Sequence, residues 1–142
     1  MALLLVAHVL FTTAGYAGLI ACNVYLLHLT RAGDAAAVSS GITAWRKTAR
    51  TFGPLFLVGI LLGFALAAAF RVPLNEPWLL ATYALIVAIV AIQGAVMVPW
   101  QLRSDRSLAA GTIPDVTPVR VVLIALCTAY TATLALMLVR PG

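Results

Sequence analysis

The chain has 142 residues, of which 63% are hydrophobic and 9% are charged, with a net charge of +5 and a mean hydropathy of +1.08. An ordinary soluble domain carries about 25% charged residues, so this chain has too few charges to cover a surface exposed to water. In hydrocarbon an apolar outer face is favourable. The composition therefore excludes an ordinary soluble domain and predicts an all-α integral membrane four-helix bundle that forms one domain.

Four apolar runs are each close to the length of about 20 residues that crosses the hydrocarbon core. They predict membrane spans at residues 2–29, 52–70, 78–100 and 118–139. The first run lacks the basic start of a signal peptide, so we interpret it as a retained helix. The Ala-rich segment 35–50, which lies between the first two spans, predicts either a short interfacial helix or a solvated loop.

The basic residues lie almost entirely between the apolar runs, which indicates control of membrane topology and not nucleic-acid binding. Seven of the nine follow spans one and three: Arg31, Arg46, Lys47, Arg50, Arg103, Arg106 and Arg120. The opposite side has only Arg71 and Arg140. The positive-inside rule therefore predicts that both termini lie outside the cytoplasm, an N-out/C-out arrangement, with Trp78 at the outer interface and Trp45 and Trp100 at the inner one.

His8 is the first candidate functional residue, because it lies a short way inside the outer end of span one. At 100° per residue it shares one helix face with small residues, which predicts that this face turns into the bundle. The other members of the face are Thr12, Gly15, Gly18 and Cys22. An imidazole on such a face can ligate haem iron or copper, or it can form a hydrogen bond to a neighbouring helix.

Met137 and Tyr83 are expected at a membrane depth similar to that of His8. A His and a Met that face each other suit haem b or Cu(I), so His8, Met137 and Tyr83 are candidate cofactor-binding residues and His8 is a candidate metal ligand. Met in a membrane helix is also an ordinary packing residue. The pair is therefore one interpretation of these positions, and simple packing is the other.

Asn23 and Gln93 are predicted in the inner half of the bilayer, where a side-chain amide must find hydrogen-bond partners. We expect hydrogen bonds between helices, with contact to a polar substrate as the alternative. Gly59 and Gly63 form a GxxxG motif in span two. This motif predicts a face of close helix packing, either within the bundle or in a homodimer.

The pattern of spans and motifs resembles a group of bacterial four-span membrane proteins of unknown function (domain of unknown function 2269). The matching features are His8, Gly15, the basic segment 46–50, and Gly59 with Gly63. That group is distantly similar to copper-resistance D-type membrane proteins and to the haem-binding membrane protoporphyrinogen oxidase. The resemblance implies a bacterial inner-membrane location and a ligand role for His8.

No charged residue falls in the middle of a predicted span, and the four acids, Asp34, Glu76, Asp105 and Asp115, all fall in predicted loops. Acid–base catalysis in the bundle is therefore not expected, and we predict that the protein is not an enzyme. The leading hypothesis is an accessory or interaction subunit in the lipid bilayer, alone or as a homo-oligomer. The alternatives are a haem- or copper-binding protein that uses His8, and an oligomeric transporter or channel for a small solute.

Overall fold

The computed structural model describes residues 2–138 and is entirely helical apart from short connections. Helix α1 spans Ala2–Ala32, α2 spans Ala35–Ala69, α3 spans Pro77–Ile92, α4 spans Val98–Ala109 and α5 spans Thr117–Leu138. A π-turn at Gln93–Met97 joins α3 to α4, so that Pro77–Ala109 is one continuous helix. Four helices are therefore long and apolar enough to cross a membrane, and the protein is an all-α integral membrane protein.

Helices α1 and α2 form a hairpin whose turn contains only two residues. Gly33 ends α1 with a φ of 76°, in the left-handed region that glycine adopts without steric strain. Asp34 then caps α2, because its Oδ1 accepts hydrogen bonds from the backbone N–H groups of Ala36 and Ala37 at 2.9 and 3.2 Å. The Gly-Asp pair thus ends one helix and begins the next without a loop.

The segment 35–50 is helical and leads into the second span, so the alternative of a solvated loop is wrong. The first half of α2 continues without a break into the second span, through Pro54. Val38 and Ile42 are one turn apart, and both are fully buried against the bundle. Burial of these two side chains explains why the segment packs on the bundle.

The third span also runs further than the end expected at residue 100, since the helix continues to Ala109. Pro99 has no N–H for the usual helical hydrogen bond, and its ring crowds the carbonyl of the preceding turn. The wider π-turn lies directly before this proline and accommodates it within a continuous helix. The third helix therefore continues past this proline.

The buried core lies along the bundle axis and is densest in the half that contains the α1–α2 turn. There Trp100 is 2% exposed, and its Nε1 donates to the carbonyl of Asp115 at 2.6 Å. The core residues shared by α1, α2, α4 and α5 in this half are Leu26, Val38, Ile42, Trp100, Val119 and Val122. Trp100 is therefore a packing residue within the bundle.

Candidate functional site

A cavity of about 270 Å³ lies between the four spans at one end of the bundle. This cavity end contains the start of α1, the end of α2 and the start of α3, and the opposite, basic end contains the turn at Gly33 and the connection before α5. Most of the wall is apolar, and no charged side chain lines it among the residues described. The polar lining residues are His8, Thr12, Tyr16, Thr82, Tyr83 and Thr133.

Unequal helix packing creates the cavity. Helix α1 packs along α2, and α5 packs on α1 and α3, whereas α2 and α3 do not pack closely on each other. At the basic end, α4 closes the gap by contacting α2, where Arg46 forms an ion pair with Asp105 at 2.6 Å. At the cavity end the rings of Phe64 and Tyr83 stack between α2 and α3, but the two helix backbones lie further apart and a space remains between them.

Glycines on α1 and α2 allow these two helices to approach closely, so that side chains of one sit on glycines of the other. A Cβ added at Gly15 would lie 2.7 Å from the Phe56 Cβ, and one at Gly18 would lie 2.4 Å from the Phe52 ring. In the reverse direction, Thr12 packs on Gly59 and the His8 ring packs on Gly63. The Gly59–Gly63 face is therefore occupied by α1 of the same chain.

The ring of His8 is held against α2 by a hydrogen bond and by close packing. Its Nδ1 lies 2.7 Å from the carbonyl oxygen of Gly59, and its Cε1 would be 2.9 Å from a Cβ at Gly63. Because a carbonyl can only accept a hydrogen bond, Nδ1 must carry a proton. In the neutral ring Nε2 then keeps its lone pair, and the ring lines the cavity. His8 is therefore oriented so that it can accept a hydrogen bond or coordinate a metal.

Four residues that line the cavity carry a buried hydroxyl group with no hydrogen-bond partner in the described chain. These hydroxyl groups are Thr12 Oγ1, Tyr16 OH, Tyr83 OH and Thr133 Oγ1. The Tyr16 hydroxyl lies close to Thr133 but does not form a hydrogen bond of good geometry with it. A buried unpaired hydroxyl lowers stability by about 1–3 kcal/mol. Four of them around one cavity indicate a place where a bound molecule can form hydrogen bonds.

Aromatic rings form part of the cavity wall. Tyr83 stacks on Phe64 with ring centroids 4.9 Å apart and an angle of 23° between the planes. Tyr16 lies edge-to-face against Phe56, also at 4.9 Å, and Trp78 lines the wall at the start of α3. These contacts hold flat surfaces next to the polar groups.

The exposed residues at the rim of the cavity are all apolar. Leu5 is 48% exposed, Val9 53%, Phe70 55% and Met137 40%. In a helix that crosses a bilayer, such exposed apolar side chains face lipid. The cavity therefore opens towards the hydrocarbon layer and not only towards water.

The structure brings together one group of the residues singled out from the sequence. His8, Thr12, Tyr83 and Met137 all line the same cavity, contributed by α1, α3 and α5. Their shared depth could be anticipated from the antiparallel order of the spans. That their side chains face one cavity depends on the rotation of each helix, which the sequence did not give.

Asn23 and Gln93 lie elsewhere in the bundle. Asn23 is fully buried, and its Nδ2 donates to the carbonyl of Leu19 in its own helix at 2.8 Å, not to a neighbouring helix. Gln93 begins the π-turn, and its amide atoms are buried without a partner among the described residues. Neither residue lines the cavity, so neither amide would contact a ligand bound there.

Several lining residues were not singled out from the sequence, notably Tyr16, Thr82 and Thr133. Tyr16 follows Thr12 by one helical turn, and Thr133 precedes Met137 by one turn. Residues four apart lie on the same side of a helix. Tyr16 and Thr133 could therefore have been found by adding the residue one turn away from Thr12 and from Met137. Thr82 donates to the carbonyl of Trp78 in its own helix at 2.9 Å, and no pattern in the sequence distinguishes it.

The fold and the cavity define a helical integral membrane protein with a small, mainly apolar cavity whose exposed lining residues are apolar. No family model, curated protein or solved structure matches the chain.

Proposed function

We propose that this protein is a non-enzymatic accessory membrane protein that binds a small, neutral ligand in the cavity, with His8 as a central polar contact. The observation that carries the proposal is the set of four unpaired hydroxyl groups and one oriented imidazole in an otherwise apolar cavity. Binding sites for small molecules commonly combine an apolar wall with a few placed polar groups. No charged group lines the cavity in the described chain, which favours binding over acid–base catalysis.

A binding role is favoured over transport through a single chain. Beyond the cavity, the centre of the bundle is filled by buried side chains, including Tyr16, Ile89, Met97 and Leu126. These side chains interrupt any path along the bundle axis. A transport route would need to form between several copies of the chain.

The test is to look for a ligand that accompanies the protein from the membrane. We expect native mass spectrometry of the protein, released from lipid nanodiscs, to show a bound small molecule. Ala67→Phe fills the cavity, because Ala67 is buried and lines it, and this variant should lose the ligand. The matched control is Ala68→Phe, since Ala68 is exposed on the same helix and should retain the ligand. Equal occupancy in both variants, or an empty wild-type protein, would contradict the proposal.

We further propose that the basic end faces the cytoplasm and that both termini lie outside it, in a bacterial inner membrane. The support is the distribution of charge, because seven of the nine Lys and Arg follow spans one and three. Single cysteines at Asn75 and Ile113, in a background without Cys22 and Cys127, test this orientation with a membrane-impermeant maleimide. Intact cells should label the position 75 variant, and the position 113 variant should require permeabilisation. The reverse labelling pattern would show that the protein has the opposite orientation in the membrane.

Copper is a second candidate ligand, because His8 and Met137 line the same cavity. The Nδ1–H of His8 donates to the Gly59 carbonyl, as the outer nitrogen of metal-binding histidines usually does. Nitrogen and thioether ligands suit Cu(I). The residues therefore fit a copper ion that His8 and Met137 would hold, although the described chain contains no group of three or more His, Cys, Asp or Glu residues around a metal position.

Haem does not fit this cavity. The cavity has a volume of about 270 Å³. Pockets for drug-sized ligands have volumes of about 300–1,000 Å³, and haem is larger than such ligands. A visible spectrum and a copper analysis of one purified sample distinguish the candidates. Stoichiometric copper that is lost in His8→Ala and retained in His28→Ala would support copper, and a Soret band lost in His8→Ala would overturn the exclusion of haem.

A further inference from the structure

We propose that the ligand is an isoprenoid quinone or its quinol, with the ring in the cavity and the tail in the surrounding lipid. This inference rests on the proposed function, because it names the class of molecule that the same cavity binds. It follows from four properties of the cavity: its neutral lining, its hydrogen-bonding groups, its flat walls and its apolar rim.

The lining excludes charged lipid headgroups. A phosphate or carboxylate buried without a cationic partner is strongly unfavourable, and no Lys or Arg among the described residues lines the cavity. The ligand is therefore neutral in the part that enters. A quinone ring satisfies this condition in both its oxidised and its reduced form.

The polar groups match the two oxygens of such a ring. The hydroxyls of Tyr83, Tyr16, Thr12 and Thr133 are buried without partners and can donate to quinone carbonyl oxygens. His8 Nε2, with Nδ1 bonded to Gly59, can only accept in the neutral ring, so it pairs with a quinol hydroxyl. The same site therefore offers contacts to both redox forms, and the histidine contact is specific to the quinol.

The shape and size of the cavity suit one substituted planar ring. A dry protein cavity of about 150 Å³ accommodates benzene, and this cavity, at about 270 Å³, leaves room for several ring substituents. The rings of Trp78 and Tyr83 line the wall, and Tyr83 is held in place by its stacking on Phe64. Stacked and edge contacts with such side chains favour a flat, unsaturated ligand.

The rim provides the exit for an isoprenoid tail. Leu5, Val9, Phe70 and Met137 are exposed and apolar, and they lie where the cavity meets the lipid-facing surface. A prenyl chain that leaves across these side chains stays in hydrocarbon along its whole length. A water-soluble ligand would gain nothing from this opening.

The experiment uses the full chain in nanodiscs made from quinone-free lipid, with a benzoquinone that carries a ten-carbon tail as the probe and decylbenzene as the tail-matched control. Binding of the quinone should quench the fluorescence of Trp78 saturably, while Trp45 and Trp100 lie at the opposite end. Trp78→Phe should remove most of the quenching but leave the bound probe visible by native mass spectrometry. Decylbenzene should bind at least tenfold more weakly, since it makes no hydrogen bonds.

Variants of the polar groups test the recognition itself. Tyr83→Phe and Thr133→Val should each weaken quinone binding about five- to tenfold, as expected for loss of one hydrogen bond. The control is Thr131→Val, because Thr131 is exposed and its hydroxyl bonds to its own helix at Cys127. His8→Leu should weaken the quinol more than the quinone, a selectivity that a general loss of structure would not produce.

Two outcomes overturn the proposal at different levels. If decylbenzene binds as tightly as the quinone and Ala67→Phe abolishes both, the cavity binds apolar molecules without recognising a quinone. The proposed function then stands and this inference fails. If neither probe binds and no ligand accompanies the protein from the membrane, both fail.

Discussion

Individual small residues set the distance between α1 and α2. Gly59 is buried under Thr12, and a Cβ at this position would lie 2.6 Å from the Thr12 hydroxyl oxygen and 2.8 Å from its backbone nitrogen. A flexible side chain can move aside, but a backbone nitrogen moves only with its helix. Gly59 therefore limits the separation of the two helices that hold His8 in position.

Gly59→Ala should lower the free energy of unfolding by about 1–3 kcal/mol, the usual range for overpacking a close contact. Reversible unfolding in mixed micelles measures this change. Gly94→Ala is the matched control, because a Cβ there meets nothing within 4 Å, and it should leave stability nearly unchanged. If Gly59→Ala left the free energy of unfolding unchanged, α1 and α2 would not be packed as closely as described.

Asp115 is the residue whose charge should make stability depend on pH. The backbone N–H and hydroxyl of Thr117 donate to its carboxylate at 3.0 and 2.9 Å, and with the nearby Arg120 they lower the pKa of Asp115 below its ordinary value. A group with a lowered folded-state pKa stabilises the fold above its unfolded-state pKa, about 3.9 for Asp, and loses this contribution as the pH falls towards the folded-state value.

The wild-type protein should therefore unfold at a higher temperature than the Asp115→Asn variant, by a constant amount at neutral pH. This difference in unfolding temperature should shrink as the pH falls below about 4. The Asn variant keeps an oxygen that can accept the same hydrogen bonds but has no charge to titrate. Differential scanning calorimetry of both proteins over this pH range measures the difference in unfolding temperature. A difference that grows on acidification would reverse the sign of the argument.

At the scale of elements, the third span shows how a helix passes a proline without ending. The π-turn at Gln93–Met97 precedes Pro99, and α4 then continues to Ala109 and packs on α2. Trp100 lies at the start of this continuation and ties it to the connection before α5 through its bond to Asp115. The continuation closes the basic end and leaves the cavity at the other end.

Trp100→Phe should reduce the free energy of unfolding by about 1–3 kcal/mol, because the buried indole loses its hydrogen bond to the Asp115 carbonyl and the smaller ring leaves space in the core. Trp45→Phe provides a control of the same chemistry. The Trp45 Nε1 is buried without a partner, so removing it should be neutral or slightly stabilising. Unfolding of both variants under the same detergent conditions gives the comparison, and equal losses would count against the Trp100 bond.

At the scale of the whole molecule, the helices differ in length, and the longest exceed the thickness of a bilayer core. Helix α2 has 35 residues and α5 has 22. At 1.5 Å per residue, α2 is about 52 Å long, compared with a hydrocarbon core of about 30 Å. We therefore expect its first half, together with α4, to lie at or beyond the membrane surface as a packed extension of the bundle.

A cysteine in this extension should react with a water-soluble maleimide. Ser39→Cys should be labelled quickly in nanodiscs, because Ser39 is exposed and lies in the first turns of α2. Leu61→Cys should stay unlabelled, although Leu61 is 59% exposed, because its surroundings are lipid. Both variants need a background without Cys22 and Cys127. Equal protection of positions 39 and 61 would place the whole helix within the bilayer.

The number of spans and the membrane class could be predicted because they depend on composition and on the lengths of apolar runs. The ends of the helices were less accessible. The segment 35–50 is a weak helical signal by itself, and it becomes part of α2 because Val38 and Ile42 find a core to pack against. Likewise, Pro99 signals a break in isolation, and only the packing of α4 on its neighbours keeps the helix continuous.

Hydropathy and helical period are local properties, so the amino-acid sequence alone was enough to predict a membrane protein with four spans and a His8 that lies on a face of small residues. Only the tertiary structure decided that His8 bonds to Gly59, that Tyr83 and Met137 share its cavity, and that four hydroxyls there lack partners. These features depend on how each helix is rotated about its axis. In lipid the apolar residues around a helix are nearly equivalent, so contacts between helices set that rotation, and a single sequence does not reveal them.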